Sequence, residues 1–172
     1  MKILVFSDSH GNPEAIRAAL RAHGGTADLL YFLGDGIRDI ADVLADYPGI
    51  PRVILQGNND SALAAAAAGI EMQVEDIRTV DGVKILALHG HTVRVKWGYD
   101  TLLYREEEVG ADLVLFGHTH VPENTAVNGL GNTARRIHLF NPGSAGLSMT
   151  HPYGVIYVID GKISADHGTA SL

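Results

Sequence analysis

The sequence predicts an α/β fold built on a mixed β-sheet. Short apolar runs alternate with helical patterns through the first part of the chain, as in parallel βαβ units. Asp-Gly and Asn-Gly pairs then punctuate the second half, where hairpin strands are expected. With 172 residues, 46% of them hydrophobic and 19% charged, the chain is the size and composition of one globular domain, spanning 1–172.

Taken in order, residues 3–6, 29–33 and 53–55 are brief, leucine-rich or β-branched, and bounded by polar turns, as strands buried on both faces are. Between the first two, Ile16, Ala19, Leu20 and His23 recur at helical spacing. Asn12 offers an N-cap, Pro13 suits the first helical position, Glu14 makes the first turn acidic, and Gly24-Gly25 closes the helix. A weaker helical stretch covers 40–46, and 62–68 reads as an alanine-rich helix ended by Gly69. Asp81-Gly82 joins strands over 77–80 and 83–88 in a tight hairpin. A helix carrying Tyr99, Leu102 and Leu103 on one face precedes a strand over 113–116. Asn128-Gly129 and Asp160-Gly161 mark further reversals, and 154–159 reads as a buried strand.

Composition removes several functions. There is no cysteine, so disulfides, zinc–thiolate sites, iron–sulfur clusters and thiol nucleophiles are excluded together. Lys+Arg 13 against Asp+Glu 20 gives a net charge of −7, which argues against a nucleic-acid groove. The opening Met-Lys-Ile-Leu-Val-Phe-Ser-Asp turns polar too soon for a signal peptide, and no apolar run approaches a membrane span. A cytoplasmic protein without a membrane partner is expected.

The nine histidines are unusual, and five of them fall at the ends of apolar runs. The first strand ends in Asp8-Ser9-His10-Gly11-Asn12, the second in Gly34-Asp35 and the third in Gly57-Asn58-Asn59-Asp60. Later strands end in His89-Gly90-His91 and Gly117-His118-Thr119-His120. In an open α/β sheet, ligands bind beyond the carboxyl ends of the strands. Two carboxylates, one amide oxygen and four imidazoles are thereby delivered to one crevice, a donor mixture suited to a pair of divalent transition metals. Singly, each piece has a plainer reading: Asp8 as a turn or cap residue, Gly34-Asp35 as a loop. It is the combination at successive strand ends that points to metal.

In this order, Asp8-x-His10, Gly34-Asp35, Gly57-Asn58, His89-Gly90-His91, Gly117-His118-Thr119-His120 and Asn141-Pro142-Gly143-Ser144, the chain resembles the calcineurin-like metallophosphoesterase superfamily. Its size resembles the compact prokaryotic phosphodiesterase branch, whose fold is similar to that of a retromer scaffold subunit. The resemblance implies a four-layer αββα sandwich of two mixed β-sheets flanked by helices. It implies one metal held by Asp8, His10, Asp35 and His120 and a second by Asp35, Asn58, His89 and His118, with Asp35 bridging. Manganese is the expected ion, with iron, nickel, zinc and cobalt as alternatives. The implied reaction is hydrolysis of a small phosphoester, a diester by preference, by in-line attack of a metal-bridging hydroxide, with Asp35 and His10 at its centre. The rival reading is a scaffold of the same fold that recruits partner proteins. Relatives of this kind include homo-oligomers.

The chain departs from the family pattern at position 59, where many members carry a histidine thought to protonate the leaving oxygen. Asn59 can hydrogen-bond but cannot supply that proton, so activated diesters are expected to react faster than alkyl esters. His91 either substitutes in part or is an ordinary second or surface histidine. Asp60 either orients a ligand or, at less cost, caps the helix over 62–68. Residues 141–144 are expected as a turn lining the site. His23, His138, His151 and His167 read as structural or surface groups, Trp97, Tyr99 and Tyr104 as packing or contact residues, and Glu106-Glu107-Glu108 as a solvated helix face.

Overall fold

The computed structural model describes residues 1–23, 26–131 and 135–172. Gly24-Gly25, expected to close the first helix, lies outside the described residues.

Among the described residues, ten strands form two five-stranded sheets. The first contains β1 (Lys2–Phe6), β2 (Leu29–Phe32), β3 (Arg52–Ile54), β9 (Pro152–Ile159) and β10 (Lys162–Thr169), in the order β10-β9-β1-β2-β3. β1, β2 and β3 run parallel, and β9 returns antiparallel to β1. The second sheet has the order β4-β5-β6-β8-β7, from β4 (Glu75–Val80), β5 (Val83–Leu88), β6 (Leu113–Leu115), β7 (Glu123–Asn128) and β8 (Arg136–Asn141). Here β5, β6 and β8 are parallel and the edge strands β4 and β7 antiparallel.

The alternation of side chains along β1 shows how the layers assemble. Ile3 and Val5 point one way and meet Tyr31, Leu33, Ile85, Leu113 and Phe140 between the sheets. Leu4 and Phe6 point the other way, beneath helices α1 (Pro13–His23) and α2 (Ile37–Asp46), whose Ile16, Leu20, Ile40 and Val43 cover them. On the far side, Leu86, Val114, Phe116 and Leu139 pack with Leu102 of α4 (Asp100–Val109). The result is the four-layer αββα sandwich.

The hairpins found a second sheet and do not extend the first. After β3, helix α3 (Ala62–Ala67) intervenes, and only the isolated Leu55–Gln73 bridge continues the pairing. Both Asp-Gly turns have the two positive φ angles of a type I′ hairpin, 46° and 83° at Asp81-Gly82 and 49° and 72° at Asp160-Gly161. Strands β7, β8 and β10 were not legible as apolar runs. β7 and β10 are edge strands with mostly exposed or half-buried residues, so little of their sequence is apolar.

Three expectations need correction. Glu106 is not on a solvated face: it is fully buried and receives the Arg135 guanidinium, tying α4 to the segment before β8. Helix α2 begins three residues earlier than its apolar pattern suggests, because its first N–H groups are capped from another loop. Finally, Ser61 and not Asp60 caps α3, its hydroxyl accepting from Ala64 N–H. Tyr99 packs edge-on against Phe116 as expected, whereas Trp97 and Tyr104 are exposed.

Candidate metal centre

All seven expected ligands lie in loops that follow strands at one end of the two sheets. Backbone hydrogen bonds hold the loops together: Asp8 N–H donates to Gly34 carbonyl at 2.9 Å, and Gly117 N–H to His89 carbonyl at 2.9 Å. The side chains gather in two groups, Asp8 with His10 and His120, and Asp35 with His89 and His118, donor atoms within 4.8 Å of one another in each.

In the first group, Oδ1 of fully buried Asp8 lies 3.1 Å from Nε2 of His120 and 3.6 Å from Nε2 of His10. The two imidazole nitrogens are themselves 3.3 Å apart. The other Asp8 oxygen is committed, accepting from Ser7 hydroxyl at 2.5 Å and His118 N–H at 3.0 Å. Among the described residues Oδ1 finds no hydrogen-bond partner, although no solvent reaches it.

In the second group the tautomer of His89 is fixed. Its Nδ1 faces the Leu33 carbonyl at 2.8 Å, and since a carbonyl only accepts, Nδ1 carries the proton. In the neutral ring Nε2 then presents a lone pair to Asp35 Oδ2 at 3.7 Å and to Asn58 Oδ1 at 3.3 Å. Three acceptors facing one another with no proton between them suit a cation. Burial and the neighbouring His89 and Lys96 push His118 down to about 4, against the opposing pull of Asp8 and Asp35, so its ring too is a neutral donor.

The local backbone pays for this convergence. Asp8, His10, Asp35, His118 and His120 all adopt positive φ, between 42° and 66°. A left-handed conformation at a non-glycine residue costs roughly 1–3 kcal/mol and collects at functional sites. Glycine is required where loops touch: a Cβ on Gly57 would overlap Asp35 Oδ1, and one on Gly117 would overlap Ser7 Oγ.

Two asparagine–aspartate elements steady Asp35. Asn59 donates to it twice, through its backbone N–H at 2.8 Å and its amide at 2.6 Å. Asp60 accepts four backbone N–H groups, those of Asp35 (2.7 Å), Gly36 (2.8 Å), Ile37 (2.8 Å) and Gly57 (2.9 Å). Asp60 thus caps α2 across the gap between loops and joins the β2–α2 turn to the β3–α3 turn. Of the two roles the sequence left open, the cheaper one, capping the nearer helix, is not the one it has; it holds the backbone of Asp35 instead, and a long-range cap leaves no local spacing to detect.

His91 stands beside the second group, its ring centre 5.3 Å from that of His89 and 6.1 Å from that of His118. Burial and His89 lower its pKa, and its Nδ1 is buried without a hydrogen-bond partner. Asn141 and Ser144 do not line the opening; both are buried braces beneath it. Asn141 donates to Gly117 carbonyl at 3.0 Å, and Ser144 donates to Asp8 carbonyl at 2.7 Å. Ser7 is the other brace the sequence did not reveal, a buried hydroxyl closing an apolar strand. His23, His151 and His167 bond to Tyr153, Ala145 and Asn141 respectively, in structural roles.

Residues 1–162 match the calcineurin-like phosphoesterase superfamily domain. The chain belongs to that superfamily. Among its relatives, the Bacillus subtilis (strain 168) protein named probable metallophosphoesterase YsnB is 30% identical over 145 residues, covering 84% of this chain and 75% of that one. Solved structures share the fold. A novel archaeal phosphodiesterase superposes with a TM-score of 0.72 at 19% identity, over 97% of this chain and 99% of the other. Wild-type Vps29 of Entamoeba histolytica, complexed with zinc, gives 0.69 at 19% identity over 98% and 99%. As a calcineurin-like phosphoesterase, the protein is of a family that acts on phosphoesters with divalent metal ions, and its two ligand groups fit such ions in donor type and in their unshared lone pairs.

Proposed function

We propose that the protein is a dinuclear-metal phosphodiesterase acting on a small phosphoester. The observation that carries this is the pair of side-chain groups, Asp8-His10-His120 and Asp35-His89-His118, opening at one end of the sheets. Asp8, His10 and His120 would hold one ion and Asn58, His89 and His118 the other, with Asp35 shared. Manganese is proposed over iron, nickel, zinc and cobalt. When bound, such ions lower the pKa of a bound water and neutralise phosphoryl oxygens, which is why the site needs no basic patch.

The chain's own residues orient these groups. The Leu33 carbonyl keeps the proton of His89 on Nδ1, so that Nε2 faces inward. Asn59 and Asp60 set the carboxylate and the backbone of Asp35. The amide of Asn59 cannot protonate a departing alkoxide, which favours diesters with acidic leaving alcohols.

The test is a manganese-supplemented screen of phosphodiesters and monoesters beside Asp35→Asn. The wild type is expected to turn over activated diesters and the variant to lose turnover and bound metal. Activity that survives Asp35→Asn would refute the assignment. The alternative is a protein-interaction module, supported by the likeness to Vps29 in fold and by the exposure of Trp97, 90% accessible. Purified protein that carries no metal and ignores added manganese would favour it. Among the described residues no helix is long and apolar enough to cross a membrane.

A further inference from the structure

A cleft of about 320 Å³ opens beside the two ligand groups. His10 and Asp35, one from each group, line it together with Asn59, Ile37, Ala64 and Arg38. Arg38 is exposed, on the first turn of α2.

Its guanidinium makes no hydrogen bond or ion pair among the described residues, and the reason lies in what its neighbours do. Asp42, one helical turn on and the usual i,i+4 partner, is taken by Arg17 of α1 at 2.9 Å. Arg17 also holds Glu14 and Asp46, each at 2.8 Å. Asp39 accepts from the Ser9 hydroxyl at 2.6 Å and from Gly11 N–H at 2.8 Å. Asp60 is saturated by its four backbone donors, among them the N–H groups of Gly36 and Ile37 at the start of α2. Among the described residues lining the cleft, Arg38 is the cationic side chain left without a partner. Asp39 and Asp60 line the cleft as well, but the groups that they accept from reduce their repulsion of an anion.

We propose that this cleft receives a second, non-reacting phosphate of the substrate, and that Arg38 is the specificity-determining contact for it. The planar fork of a guanidinium matches phosphate oxygens in pairs, and Arg38 lines the same cleft as His10 and Asp35. The substrate class narrows to phosphodiesters in which one esterified alcohol bears a further phosphate. The inference rests on the phosphodiesterase reading of the neighbouring centre.

Isothermal titration with thymidine 5′-phosphate and thymidine 3′,5′-bisphosphate tests it, on manganese-loaded and on chelator-treated protein. The bisphosphate is expected to bind the loaded wild type about tenfold more tightly, at the lower edge of what hydrogen bonds to a charged group contribute. In Arg38→Gln that preference should fall to about twofold, the statistical advantage of two equivalent phosphates. Lys162→Gln, which removes the same charge from the outer strand β10, should keep the full preference. A wild-type preference of only about twofold, or one that Arg38→Gln retains, overturns the proposal. The underlying reading is judged separately, by manganese-dependent turnover of bis(p-nitrophenyl) phosphate. If turnover is absent and the Arg38-dependent preference persists, the cleft is a phosphate site and the hydrolase reading alone fails.

Discussion

Asn59 grips both oxygens of Asp35, its backbone N–H on Oδ1 at 2.8 Å and its side-chain amide on Oδ2 at 2.6 Å. The residue that stands where the family resemblance implies a proton donor is thus a clamp on the carboxylate proposed to be shared. An amide holds the carboxylate without titrating, but it leaves the departing alcohol unassisted. Asn59→His is expected to narrow the rate gap between bis(p-nitrophenyl) phosphate and an alkyl diester by about 10²-fold or more, the usual contribution of general acid catalysis. Steady-state kcat on the two esters, measured over a range of pH, checks this. An unchanged gap would mean that position 59 does not face the leaving group.

Asp60 carries a different burden. Removing its carboxylate leaves four backbone donors without their partner, two of them flanking the left-handed Asp35. Each unsatisfied donor costs about 1–3 kcal/mol where water cannot replace the acceptor, so Asp60→Ala should lose about 3 kcal/mol of stability in urea denaturation. Asp60→Asn keeps one accepting oxygen and should fold. Its manganese affinity is expected to fall about 10–100-fold, as outer partners of metal ligands commonly require. If manganese affinity is unaltered in Asp60→Asn, the residue serves the helix alone.

Most of the strands and the candidate ligands were legible in the sequence for one physical reason. Strands buried on both faces must be apolar, so polar residues such as Asp8, Asp35, His89 and His118 mark where each strand leaves the core. The division into two sheets was not legible from the residues, because the alternation of Ile3 and Val5 against Leu4 and Phe6 is invisible when both faces are apolar. The edge strands β7 and β10 escaped for the opposite reason, having too few buried side chains to form a pattern. Asp60, Glu106 and Ser144 were misplaced or missed because each serves a partner far away in sequence. Pairing of that kind is set by the fold and leaves no spacing to read.

Acid should weaken the fold partly through His138, far from the metal groups. Its Nε2 faces Asn124 Oδ1 at 2.6 Å, and Asn124 spends its amide on the Ala165 carbonyl, so Nε2 carries the single ring proton. Burial lowers the His138 pKa below its ordinary 6.5, while Asp112 and Arg136 lie in the same surface hollow. Below that ordinary value the unfolded chain takes a proton that the folded chain resists, so stability falls as pH drops from about 6.5 toward the lower folded value, and is flat above it. The loss in urea midpoint between pH 7.5 and pH 5.5 should be smaller in His138→Gln than in the wild type, both measured in chelator. An equal loss in the two would remove His138 from the account.

Metal should stabilise the protein group by group. The buried Asp8 Oδ1 has no hydrogen-bond partner, and the inward lone pair of His89 faces other acceptors, so the ligands bear a repulsion that a cation relieves. A ligand at 100 times its dissociation constant adds about 2.7 kcal/mol per site. For a domain of this size each kcal/mol raises Tm by about 2–4 °C, which gives about 5–10 °C per site. Thermal denaturation with saturating manganese is therefore expected to show a rise of about 10–20 °C over chelator-treated protein if both groups fill. Asp8→Ala removes the central acceptor of one group and also leaves Ser7 hydroxyl and His118 N–H without theirs, so its metal-free Tm should fall. The informative quantity is the increment that manganese then adds. Half of the wild-type increment is expected, because the Asp35-His89-His118 group is intact, and an increment equal to the wild type's would show that Asp8 holds no ion.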